Sequence, residues 1–171
     1  MWRPRRAKRR VAALLAVEVA QNTGLLSLQA AMMQLEPQRF GPGFHLSALV
    51  WDAAKTSVTE LPESELRDVL LLYGTYESIN RDAAVIDGLA DEIASRDPND
   101  RQQKVLATQA IGALQLLREQ VIDGRRRGHA LVLRLRKLGG LVGPDPQLGS
   151  DEAYLAQARS LVASRTKLVQ G

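Results

Sequence analysis

The sequence predicts an all-α protein, an antiparallel bundle of about four long helices and one short one. Three observations lead there. Over residues 100–138, apolar or small side chains recur at Leu106, Ala110, Ala113, Leu117, Val121, Gly124, Gly128, Leu131, Leu135 and Leu138. Every step is three or four residues, the spacing of one helix face turned to a core. Leu and Ala dominate the composition, with Gln, Glu and Arg beside them, and all are good helix formers. No stretch shows the period-two alternation of a strand, and no fixed-period repeat appears. At 171 residues the chain is read as one domain, with a basic leader at 1–10 and a Gly/Pro loop at 139–149.

Residues 2–35 read as the first long helix. Pro4 suits an opening turn, where its missing N–H costs nothing. Val11, Leu14, Leu15, Val19 or Glu18, Asn22, Leu25, Leu26, Met32 and Met33 follow helical period. Gly24 weakens the middle by about 1 kcal/mol relative to Ala, so a break would fall there. Pro37 ends the helix, because the residue before a proline is pushed out of the α region. Residues 36–45 carry two prolines and two glycines and read as a loop anchored by Phe40 and Phe44. A short helix is expected over residues 46–59, with Leu46, Leu49, Val50, Ala53 and Ala54 on one face and Trp51 sealing it.

The next helix opens at Pro62 in the N1 position, with Glu63 and Glu65 in its first turn, and runs to residue 95 or 96. Its expected inner face is Leu66, Val69, Leu70, Tyr73, Tyr76 or Glu77, Asn80, Ala83 or Ala84, Ile86 or Asp87, Leu89 or Ala90, and Ile93. A short Asp-Pro-Asn-Asp turn then sends the chain back antiparallel into the helix of residues 100–138, the expected centre of the bundle. Gly139-Gly140 caps that helix, and a last helix begins at Ser150-Asp151-Glu152 and ends near Val169.

No segment reads as membrane-spanning. The longest uninterrupted apolar run near the N-terminus, Val11 to Val17, is followed by Glu18, whereas a span needs about 20 apolar residues. The same run is too short, and lacks the cleavage pattern, for a signal peptide. The absence of Cys excludes disulfides and thiolate metal sites and fits a cytoplasmic location.

Charge is unevenly laid out. Residues 1–35 carry a net +5, residues 36–100 a net −8, and residues 101–171 a net +7, giving +4 overall. Two basic surfaces follow. Arg3, Arg5, Arg6, Lys8, Arg9 and Arg10 crowd the start of the first helix, beside Trp2. This is the wrong end for the helix macrodipole. It reads either as a frayed, solvated arm or as an anchor on an anionic membrane, where each cation contributes about 1 kcal/mol and Trp favours the interface. Arg118, Arg125, Arg126, Arg127, Arg134, Arg136 and Lys137 make the second half of the central helix basic. They read either as a solvated face paired with the acids of residues 60–92 or as a nucleic-acid surface. No interleaved aromatics or reading element accompany them.

Within that helix, Gly124 and Gly128, extended by Ala110 and Ala113, let another backbone approach closely. The face serves packing inside the chain, a dimer seam or a kink, and the two glycines together cost about 2 kcal/mol against alanine. Glu18, Asn22, Tyr73, Tyr76 and Asn80 are polar on otherwise apolar stripes. They read as a buried hydrogen-bond network that fixes register, or alternatively as a small-ligand pocket.

Catalytic chemistry finds no foothold. His45 and His129 are the only histidines, and neither has a second ligand at metal spacing. Asp87 with Asp91, and Glu77 with Arg81, are ordinary i, i+4 surface pairs. No serine has nucleophile-elbow context, and Gly139-Gly140-Leu141-Val142-Gly143 lacks the lysine and preceding strand of a phosphate loop. No metal and no cofactor are expected.

The basic leader, Leu15-x-x-Glu18-x-x-x-Asn22, Trp51-Asp52-Ala53-Ala54 and Tyr73-x-x-Tyr76-x-x-x-Asn80 come in an order, across about residues 5–95, that resembles a group of uncharacterised bacterial helical proteins. In that group a similar leader often follows a transmembrane helix. The resemblance implies a membrane-proximal helical domain of no known activity. The expectation is a non-enzymatic helical scaffold or interaction module, self-associating or peripheral to an anionic membrane. The alternatives are a nucleic-acid-binding protein and a small-ligand-binding bundle.

Overall fold

The computed structural model describes residues 3–37, 39–41, 43–97, 100–145 and 148–169. The protein is all-α. Four long helices, α1 (Arg3–Leu35), α3 (Glu63–Ala94), α4 (Arg101–Gly139) and α5 (Asp151–Val169), are joined by one short helix, α2 (Leu49–Ala54), and a 3₁₀ turn at Val58–Glu60. Among the described residues there is no strand.

The most extensive pairing is between α1 and α4. It is antiparallel and close, because small residues face each other. Ala12, Ala16 and Ala20 are fully buried on α1. A Cβ built on Gly128 would collide with Thr23 Oγ1, and one on Gly139 would lie 2.9 Å from the Ala13 Cα. Gly124 sits where all three core helices meet: a Cβ there would be 3.3 Å from both Leu26 and Ile79. Thr23 and Ser27 face this seam without leaving polar groups unmet. Their hydroxyls donate to the Val19 and Thr23 carbonyls within α1, at 2.6 and 2.8 Å. The glycines are thus used in packing inside the chain, and α4 stays helical through both of them.

The helix α3 also runs antiparallel to α4, as Arg134–Asp68 and Gln120–Asp82 contacts show. Since α1 and α3 both oppose α4, they are parallel to each other. The expectation of an antiparallel bundle is therefore corrected for α1 and α3: residues 36–62 return the full way as a crossover between them. The helix α5 packs on α1, through Tyr154 and Ala158 against Ala31 and Met32. The hub is accordingly the α1–α4 pair, not α4 alone.

The α1–α4 pair is staggered. Ala13 is level with Gly139, so residues 3–10 project past the end of α4. At the other end, α4 outruns α1, and Leu106, Ala110 and Ala113 are only half-buried against α3. Deep burial on α4 begins at Leu114.

Local signals account for most helix ends. Asp100 caps α4 by accepting from Gln102 N at 2.9 Å. Gly140, at φ +72°, closes it with Leu141 N–H to Arg136 O and Gly140 N–H to Lys137 O, a Schellman arrangement. Pro62 is the N-cap of α3 rather than its first residue. Gly24 causes no break.

Other corrections concern faces and one element. The short helix covers Leu49–Ala54, not residues 46–59. Leu46 and Ser47 stay outside the helix because distant side chains take their backbone hydrogen bonds. Leu49 is 80% exposed, and Ala53 is exposed as well. On α3, Leu70 faces solvent and Leu72 and Ile79 are buried in the inner face; on α1, Leu14 and Leu25 face outward. Residues 5–35 are long and apolar enough to cross a membrane by length and composition, although the longest uninterrupted apolar run there is short. However, 67% of the most apolar window is buried against the rest of the chain, as in a core helix.

Candidate functional site

Three groups of polar residues stand out, and the fold treats each differently. The first is the network gripping the crossover. Glu18 is 2% exposed. One of its oxygens accepts from Ser47 Oγ at 2.8 Å and Val50 N at 2.9 Å; the other accepts from Trp51 N at 3.1 Å and Tyr73 Oη at 2.5 Å. Ala48, the N-cap of α2, offers no side-chain bond. Glu18 therefore caps α2 from across the bundle, satisfying first-turn N–H groups and placing its carboxylate at the positive end of the helix.

Two asparagines complete the grip. Asn22 donates to Ser47 O at 2.7 Å and accepts from Ser47 N at 2.9 Å. Asn80 donates to Leu46 O at 3.0 Å and accepts from Leu46 N at 2.7 Å. Each side-chain amide pairs with a backbone amide as a neighbouring strand would. Consecutive residues are held from α1 on one side and α3 on the other. Asp87 adds a bond from Gly43 N at 3.0 Å. Trp51 stacks on Tyr73 at 4.9 Å, and Tyr73 meets Tyr76 edge-on at 5.4 Å.

Burial, and then the bond to Glu18, raise the Tyr73 phenol well above its ordinary value. Burial also raises Tyr76, partly offset by the neighbouring Thr23 hydroxyl. Both stay neutral across physiological pH. Glu18, Asn22, Tyr73 and Asn80 of the expected network are thus brought together by hydrogen bonds as a structural clamp, whereas the Tyr76 hydroxyl is buried with no hydrogen-bond partner among the described residues and its ring packs on Tyr73. An open depression of about 460 Å³ adjoins the clamp and shares Asn22 and Ser47 with it, its other lining residues including Gln21, Leu25, His45 and Tyr154.

The second group is the basic half of α4. Arg126 and Arg127 both reach Asp123, at 2.7 and 2.5 Å. Arg125 pairs with Asp151 at the start of α5. Arg134 reaches Asp68 at 2.6 Å, and Arg136 reaches Asp145 at 2.7 Å. Desolvation raises the Asp123 pKa, but the bonds from Arg126 and Arg127 outweigh it and leave the carboxyl below its usual value. The bond from Arg125 lowers Asp151 likewise. The pairing is real, but only Asp68 comes from residues 60–92; the other partners are Asp123, Asp145 and Asp151. Arg118 and Lys137 are exposed and make no ion pair among the described residues.

The third group is the start of α1. Arg5, Arg6, Arg9 and Arg10 are exposed and Lys8 is half-buried. Among the described residues, no carboxylate lies within ion-pair distance of Arg5, Lys8, Arg9 or Arg10, and the first turn of α1 holds no acid. Trp2 lies outside the described residues, and Arg3 opens α1.

His45 is exposed on the crossover. His129 is half-buried, with its pKa lowered by desolvation and Arg125 against the opposing pull of Asp151. Among the described residues no group of three or more His, Asp or Glu gathers where a metal could be held. No protein-family model matches the chain, and no curated protein and no solved structure matches it.

Proposed function

We propose that the protein is a non-enzymatic helical interaction module that docks end-on to an anionic membrane surface through the first turns of α1. The observation that carries this reading is that Arg5, Lys8, Arg9 and Arg10, on a segment that overhangs the bundle, have no ion-pair partner among the described residues. Cations stacked at the positive end of a helix destabilise it unless an outside anion compensates, and an anionic leaflet supplies one. Arg3 and Arg6 lie on the same segment. Such leaflets face the cytoplasm in most membranes, which suits the cysteine-free chain.

Nucleic-acid binding through α4 is the weaker reading, because five of its arginines already hold carboxylates. Self-association through Gly124 and Gly128 is also weakened, since both are buried within the chain. A helical partner would meet α4 at its exposed Ile111, Ile122 and Leu133 instead.

Vesicle flotation tests the proposal. The protein should float with vesicles containing phosphatidylglycerol at low salt, not with pure phosphatidylcholine, and salt should release it. Failure to float with anionic vesicles at low salt would end this reading.

A further inference from the structure

Residues 140–145, which leave α4, are tied back to the helix by hydrogen bonds, yet they present an apolar tip. Arg136 is the clamp. Its guanidinium donates to Asp145 Oδ2 at 2.7 Å, to Gly143 O at 3.0 Å and to Pro144 O at 3.4 Å. The Arg136 and Asp145 side chains are only 12% and 6% exposed. Gly140 and Gly143, at φ +72° and +90°, make the turns that non-glycine residues resist. The Leu141 N–H is tied to Arg136 O at 2.9 Å. Between these points Leu141 is 37% exposed and Val142 is 95% exposed.

An isolated exposed valine is unremarkable on its own. Its position is what matters. Gly139 packs directly on Ala13, so the tip leaves α4 beside the α1 segment that ends in Arg9 and Arg10. The exposed, unpaired Lys137 lies one turn back. The same end of the bundle therefore carries unpaired cations and a fixed apolar point. These are the two ingredients of interfacial binding: attraction to anionic headgroups and burial at the acyl boundary.

We infer that Leu141 and Val142 form an insertion tip that enters the headgroup layer of an anionic leaflet beside the α1 cations, with the bundle tilted onto its α4 side. This rests on the membrane reading of α1 and adds a second, apolar contact to it. A solvated loop needs neither the buried Arg136–Asp145 pair nor a valine at its apex.

The absence of cysteine allows a site-specific test. The Val142→Cys protein, labelled with an environment-sensitive nitrobenzoxadiazole dye, is titrated with phosphatidylcholine vesicles with and without phosphatidylglycerol. A label at Gln109→Cys, on the far half of α4, is the control. The expected result is a blue-shifted, several-fold brighter signal at 142 on anionic vesicles only, with no change at 109. Val142→Asp should weaken anionic-vesicle binding about tenfold, as loss of one buried valine does, and should leave thermal stability unchanged. An unshifted label at 142 on vesicle-bound protein, together with wild-type affinity for Val142→Asp, would overturn the insertion tip and leave the α1 reading standing. Absence of vesicle binding by the unmodified protein would overturn both.

Discussion

The start of α1 and the second half of α4 look alike as sequence and behave oppositely as structure. Both are arginine-dense helix segments. On α4, five arginines find carboxylates on α3, α4, α5 or the following loop. On α1, Arg5, Lys8, Arg9 and Arg10 find none among the described residues. Macrodipole polarity sharpens the contrast, since cations suit the end of α4 and oppose the start of α1. A count of basic residues does not identify a binding surface. The informative quantity is the charge left over after the fold has used what it can.

The largest expected effect comes from removing that leftover charge. Replacing Arg5, Lys8, Arg9 and Arg10 together with Gln should cost about 4 kcal/mol of anionic-vesicle affinity, at about 1 kcal/mol per cation, or roughly a thousandfold in Kd. Thermal stability should hold or rise slightly. The same number of Gln replacements at the paired Arg125, Arg126, Arg127 and Arg134 should change affinity far less. Equal losses from the two sets would erase the distinction between the regions.

A second variant separates fold from surface. Glu18→Ala leaves four donors without their acceptor and should destabilise the protein by about 3 kcal/mol, read by urea unfolding. The folded fraction should bind vesicles as before. A variant that stays as stable as the parent would refute the capping role of Glu18.

Alkaline pH probes the same clamp. Tyr73 and Tyr76 are held neutral, with folded pKa values raised above the ordinary 10.0. Their contribution is complete below pH 10, where the unfolded phenols are also protonated, and is lost as pH rises above it. Unfolding midpoints should fall on that side, and Tyr73→Phe should flatten the decline.

The smallest effect tests the paired side. Asp123→Asn frees Arg126 and Arg127 without altering either. Stability should change little, since these are surface pairs. Vesicle affinity should stay close to the parent's, because both arginines lie about 20 Å back along α4 from Gly139, more than a Debye length from an end-on contact. A clear gain would show that the α4 face, rather than the α1 end, meets the membrane.

Much of this was legible because it is local. The spacing from Leu117 to Leu135 on α4, the Asp100 cap, the Gly139-Gly140 stop and the polar residues on the α1 and α3 stripes are each readable from a few neighbours. The non-helical path of residues 44–48 was not, because what holds Leu46 and Ser47 out of the helix is Asn80 and Asn22, 34 and 25 residues away. A helical reading of that segment follows propensity, and tertiary bonds override it. The Asp123 pairs lie at i+3 and i+4 and were within reach of the sequence. The Arg125–Asp151 and Arg136–Asp145 pairs depend on where loops turn, which spacing does not encode.

The stagger between α1 and α4 has a consequence for orientation. Its two overhangs carry opposite charge: cations on α1 at one end and, around the α3–α4 turn, five carboxylates against three cations over residues 87–104. A rod charged in this way aligns in the field of an anionic surface, with the α1 end down. At 1.5 Å per residue, the 39 residues of α4 span roughly 60 Å. Docked end-on, the molecule would act as a stand-off post, presenting the acidic α3–α4 turn to whatever lies about one helix length above the membrane.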